Sequence, residues 1–172
     1  MKQVISLRLL LAPEQQQRLL ELLHMFNAAC TYIAAQAQTA EANDIFTLQA
    51  LTLNTVLERF RLPMPLALRA VLAVAVARTR RPQRARAFRA EAPIPLDEQI
   101  VGFQGLSHLS LLTLSGRITA PYFVKRVRRA SAAARLGETS LHYRRGHFWV
   151  AVTLETGLPD ESTLASGPGF AV

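Results

Sequence analysis

The chain has one cysteine, Cys30, in 172 residues. That excludes an internal disulfide framework and a cysteine-built zinc site. Lying within a helical pattern, Cys30 reads as a buried, inert thiol, and a reducing cytoplasm suits the chain. His24, His108, His142 and His147 never fall at metal-ligand spacing. His142 and His147 are expected to face each other across a hairpin, but two ligands without a third make no site. Acids are scattered. Glu14 and Glu21 suit the early turns of a helix, and the adjacent Asp97 and Glu98 would diverge on a strand. No carboxylate group promises to converge on the cations a metal-dependent nuclease needs. There is no phosphate-cradling glycine loop and no GxSxG elbow. No apolar run reaches the ~20 residues of a membrane span. The opening MKQVISLRLLLAP is broken by Arg8 and lacks a small-residue cleavage site, so it reads as a strand, not a signal peptide. These gaps point to a soluble, cytoplasmic protein with no cofactor, no metal, no membrane partner and no catalytic residues of its own.

What the chain does have is apolar residues, 50% of the total, enough for a substantial core. It also carries a formal charge of +8. Lys2 and Lys125 are its only lysines, so the charge is arginine. Such basicity draws polyanions, and arginine favours bidentate phosphate contacts and stacking.

Periodicity orders the elements. Ile5, Leu7, Leu9 and Leu11 alternate with Val4, Arg8 and Leu10, predicting a strand. Pro13 suits the first position of a helix carrying Leu19, Leu22, Leu23, Phe26, Cys30, Ile33 and Ala37 on one face to about Gln38. Thr47 is expected to cap a second helix, LQALTLNTVLERF. Pro65 opens a third, apolar nearly all round and so expected to pack against others, with Pro82 ending or kinking it. APIPLD reads as a connector, QIVGFQG as a strand and HLSLLTLSGRITAPYF as a hairpin about Ser115-Gly116. A short basic helix, VKRVRRASAAARL, and a second hairpin turning near Gly146 complete the pattern. The fold class is therefore α+β. The first strand must join four or five distant late strands in a small antiparallel β-barrel, or leave an apolar edge unpaired. The expected organisation is residues 1–12 and 92–156 as barrel, 13–91 as a three-helix insertion and 157–172 as a flexible tail.

Two arginine-rich stretches carry the functional signal. RTRRPQRARAFR supplies Arg78, Arg80, Arg81, Arg84, Arg86 and Arg89. The second comprises Lys125, Arg126, Arg128 and Arg129 with Arg144 and Arg145 at the last turn. A solvated face would also hold charge, but stretches of one sign repel and need an outside reason. Nucleic-acid phosphates supply one. Phe148 belongs to the core by alternation, and Tyr143 packs across the hairpin. Trp149, on the opposite face, is the stacking candidate.

Three stretches, ISLRLLLAPEQQQRLLELLHMFNAACTYIAAQA, IFTLQALTLNTVLERFRLPMPLALRAVLAVAVA and PIPLDEQIVGFQGLSHLSLLTLSGRITAPYF, resemble in order the amino-terminal half of TnpB proteins. TnpB proteins are RNA-guided DNA nucleases of bacterial insertion sequences, related to miniature type V CRISPR effectors. The resemblance spans about Val4 to Glu155. It implies a wedge barrel interrupted by a helical recognition bundle, with guide RNA and double-stranded DNA as partners. It also implies a RuvC-like nuclease domain beyond HFWVAVTLE, opening on a catalytic Asp in a GVDLG-like motif. That motif does not occur here, and Asp160 lacks its neighbours, so the catalytic role is not carried onto it. The expectation is a truncated, transposon-associated binding protein without its own nuclease centre. The alternatives are one half of a split endonuclease completed by a separate RuvC-like chain, and a non-specific basic RNA-binding barrel.

Overall fold

The alternation at the start of the chain becomes β1 (Lys2–Leu9). Leu7 and Leu9 are buried and Ile5 packs on the core, while Val4, Ser6 and Arg8 take the other face. The computed structural model describes residues 2–81, 87–124 and 135–155. After β1 come α1 (Pro13–Ala40), α2 (Ile45–Arg59) and α3 (Met64–Arg80). Six strands follow: β2 (Ile94–Leu96), β3 (Val101–Gln104), β4 (His108–Thr113), β5 (Gly116–Val124), β6 (Arg135–Arg144) and β7 (His147–Glu155). The architecture is α+β, with the helices inserted after the first strand of an antiparallel barrel.

One sheet holds all seven strands in the order β2-β6-β7-β1-β5-β4-β3. β1 lies at its centre, pairing Leu7 with Val150 of β7 and Arg8 with Phe123 of β5. The outermost strands, β2 and β3, are consecutive in the chain, so residues 97–100 join the sheet's edges and curl it into a nearly closed barrel. Asp97 shapes that joint, its Oδ1 accepting from Gln99 N at 2.9 Å and Ile100 N at 3.2 Å. Arg117 of β5 ties it to the adjoining strands, donating to the Gln99 and Ile100 carbonyls and, at 2.9 Å, to Ser110 Oγ of β4.

Three local readings need correction. APIPLD is not only a connector: its centre is β2, paired with Thr139–Leu141 of β6. Pro95 is tolerated there because β2 is a sheet edge. Among the described residues the late strands therefore number six. The expected basic helix falls mostly on residues 125–134, outside the described residues, while Val124 ends β5 and Arg135 and Leu136 open β6. The cap of α2 is Asp44, whose Oδ1 accepts from Thr47 N at 2.9 Å; Thr47 is the donor, inside the first turn.

Hydrogen bonding to the charged form, from the Thr47 side chain first and its backbone N–H second, holds the Asp44 carboxyl below its ordinary value near 3.8. With the folded value depressed, the stabilisation is present above the ordinary value and is lost as pH falls through the folded one. Asp44→Asn keeps the cap acceptor but does not titrate. It is expected to abolish that part of the acid-side fall in thermal midpoint while leaving the neutral-pH midpoint nearly unchanged, measured by melts between about pH 2 and 7.

α1 couples the two parts of the molecule. Its first turns lie on the barrel, where Gln15 Nε2 donates to Thr119 O and Gln16 Nε2 to Gly146 O, both at 3.0 Å. Arg18 reaches Thr113 Oγ1 at 3.2 Å and Ser115 O at 2.9 Å. Further along, Phe26, Cys30 and Ile33 join α2 and α3 in one contiguous core that also contains Leu7, Ile94 and Phe148. Burial pushes the Cys30 thiol far up, which keeps it inert.

Candidate nucleic-acid interface

Between α3 and the outer face of β1, β6 and β7 runs a groove of about 1110 Å³. Side-chain size explains where it lies. The strands present small residues there: Ser6, Ser140, Ala151 and Thr153, which leave room above the sheet. The facing wall is a second apolar stripe of α3, Leu72, Ala73, Val76 and Ala77. The stripe facing the core is Ala67, Ala70, Val71, Val74 and Ala75. The all-round apolarity of this helix thus divides between a core face and a groove face.

Arginines stand at both ends of the α3 wall. Arg69 and Arg80 line the groove about three turns apart on one helix face. Across from them, Arg144 and Arg145 come from the β6–β7 turn. Arg145 and Gly146, both at positive φ (51° and 78°), form this two-residue turn, the sign pattern of the hairpin turn that matches strand twist. Against these four cations the lining holds one acid, Glu138. It sits where a register shift between Leu136 and Thr139 interrupts the β6–β7 ladder. Apolar walls around charges of one sign focus the field on an incoming anion.

The strand faces around this turn are as alternation predicts. Phe148 is fully buried, and Tyr143 packs on it with ring centroids 4.8 Å apart. Trp149 is on the other face and lines the groove. The histidines are not opposite each other. His142 pairs with Trp149, and His147 with Arg144. His142 Nε2 lies 2.7 Å from Ser140 Oγ and its Nδ1 3.4 Å from Arg144 Nη2. Burial first, and the Arg144 charge second, hold its pKa below the ordinary imidazole value, which favours the neutral ring.

The two arginine-rich stretches divide on inspection. Arg80 meets Arg144 and Arg145 in the groove, while Arg81 and Arg89 are exposed outside its lining. Arg84, Arg86, Lys125, Arg126, Arg128 and Arg129 lie outside the described residues. Arg78 is a correction. It is 6% exposed, and its guanidinium donates to Ala42 O at 3.1 Å, Asn43 Oδ1 at 2.9 Å and Gln38 Oε1 at 3.3 Å. It fastens the end of α1 and the α1–α2 loop to α3, its guanidinium turned to these protein acceptors.

Two contributors escaped the sequence reading. Arg69 stands apart from the arginine-rich stretch, in the apolar part of α3, and only its spacing from Arg80 marks it. Asn27 is buried on α1, and its Nδ2 donates to Ala90 O at 3.2 Å and Ala92 O at 2.9 Å. It thereby fixes the path of the chain from the first arginine-rich stretch into β2. Nothing but tertiary structure reveals that role. No family model matches the chain, and no curated protein matches it significantly.

Proposed function

We propose that this chain binds nucleic acid through the groove between α3 and the barrel, as the wedge and recognition regions of TnpB-like proteins hold guide RNA and target DNA. The observation that carries the reading is the convergence of Arg80 with Arg144 and Arg145 on one groove, although the sequence separates them by more than sixty residues. A barrel interrupted after its first strand by three helices is also the architecture the resemblance implies. The assigned activity is binding. Scission is left to a RuvC-like domain whose GVDLG-like motif is not among these 172 residues.

The division of labour is physically reasonable. Arginines that grip phosphates fix position and orientation without reading sequence, and a paired guide supplies the sequence reading. The test is to purify the protein gently from its own host and sequence the RNA that comes with it. A discrete RNA of defined length and sequence is the expected result. Heterogeneous RNA would replace the guide-binding reading with non-specific binding. No RNA, together with no affinity for added RNA or duplex DNA, would overturn both.

A further inference from the structure

Strand register places four flat side-chain groups in one row across the outside of the sheet. Phe123 of β5 is opposite Arg8 of β1, Arg8 is opposite Trp149 of β7, and Trp149 is opposite His142 of β6. All four project from the face away from the barrel core, since their neighbours along the strands are either buried (Leu7, Leu9, Leu141, Phe148 and Val150) or half-buried and packed on the core (Tyr122, Val124 and Tyr143). A phenyl, a guanidinium, an indole and an imidazole each offer a planar face for a nucleobase. Phe123 is 60% exposed, an unusual position for a phenylalanine that has only its own domain to pack against. Arg8 Nη2 stands 3.1 Å from both ring nitrogens of His147, which projects from the same face of β7.

The row has a direction. His142 and Trp149 line the groove, while Arg8 and Phe123 lie beyond its lining. It therefore leads from the arginine-lined groove over the centre of the sheet to open surface. Its pitch is the spacing of neighbouring strands, about 4.7–4.9 Å, wider than the ~3.4 Å between bases stacked in a duplex. Bases spread on this row must be unstacked from one another, and a duplex keeps its bases inside, away from any sheet surface.

We infer that the Phe123–Arg8–Trp149–His142 row is a stacking platform for an unpaired stretch of nucleic acid leaving the groove. The inference rests on the groove reading and adds the substrate form, single-stranded and unpaired, and a path for it. Phosphates remain with Arg144 and Arg145 at the groove, and the platform holds bases whatever their sequence.

Trp149 is the only tryptophan in the chain, so its fluorescence reports on the platform directly. The probes are an oligouridylate of about eight nucleotides, within the ~4–16 of known single-strand sites, an abasic oligomer of equal length, and a blunt duplex. The oligouridylate is expected to quench Trp149 and to bind about tenfold tighter than the abasic oligomer, which keeps the phosphates but has nothing to stack. Phe123→Ala should close most of that gap, and Arg8→Lys, which keeps charge but loses the plane, part of it. Equal affinity of the two oligomers, or tight binding without a change in Trp149 emission, overturns the platform while leaving the groove reading intact. If neither the oligomers nor the duplex bind, the groove reading fails and the platform falls with it.

Discussion

Replacing Arg80, Arg144 and Arg145 together by glutamine is expected to weaken duplex or RNA binding about a hundredfold at ~0.15 M salt. The magnitude follows from counterion release. Each phosphate neutralised contributes a log–log slope of about −0.7 to −0.9, worth roughly 0.6–0.7 of a decade at that salt concentration. Three contacts make about two decades, and the slope itself should flatten by about 2 to 3. Glutamine keeps the aliphatic stem and a polar end, and with them much of the packing along the groove, so the variant should fold. The measurement is binding affinity against salt for the parent and the variant. As a control, Arg59→Gln with Arg61→Gln removes two charges that do not line the groove and should leave the slope nearly unchanged. If the two variants lost affinity in proportion to net charge alone, the groove would be no more than part of a generally basic surface.

Phosphate contacts alone would hold any polyanion. Confinement is the difference here: the cations stand along one groove of defined width between a helix and a sheet, with Glu138 as its one acidic lining residue. A negative charge within that wall costs affinity wherever a phosphate passes close. Its position beside the register shift on β6, toward the end where Asp97 and Glu98 lie with Arg69 around a neighbouring smaller pocket, gives the groove a basic end and an acidic end. On the proposed reading a phosphate backbone would be held most tightly near the β6–β7 turn, which is also where the row of flat side chains begins.

Much of the fold was readable because period and burial coincide. Ile5, Leu7 and Leu9 alternate with Val4 and Arg8, and each falls on the face that alternation assigns. Leu19 through Ala37 recur at helical spacing and are buried. Phe148 and Trp149, adjacent in sequence, separate to core and groove as a strand requires. β2 was missed because three residues preceded and interrupted by proline carry almost no periodic signal, and pairing with β6 supplies what the local sequence lacks. The helix cap was displaced by three residues because Asp and Thr both cap well and sequence does not say which oxygen accepts. The groove was only half legible. Charge runs and the outward face of Trp149 marked its members, but the small residues of its floor and the place of Arg69 become meaningful only when α3 lies over the sheet.

Arginine 78 is the case in which composition misled, and it supports the second large expectation. Arg78→Ala should lower stability by about 2–4 kcal/mol, because hydrogen bonds to a charged donor contribute about 1.5–3 kcal/mol and the carbonyl of buried Ala42 loses a partner. The acceptors concerned are Ala42 O, Asn43 Oδ1 and Gln38 Oε1. Loss of the aliphatic stem from beneath the α1–α2 loop adds to the cost. For a domain of this size that corresponds to a fall of roughly 5–15 °C in thermal midpoint. Arg78→Met would restore the stem without the donors and should recover part of the loss. The salt slope of nucleic-acid binding, measured well below the midpoint, should not change in either variant, since the guanidinium faces the protein interior. Arg80→Gln, two residues on, should do the reverse: hold the midpoint and flatten the slope by about 0.7 to 0.9. A midpoint untouched by Arg78→Ala, with a slope flattened like that of Arg80→Gln, would return Arg78 to the surface and the phosphates. The long arginine side chain permits either fate, and the residues around it decide which one holds.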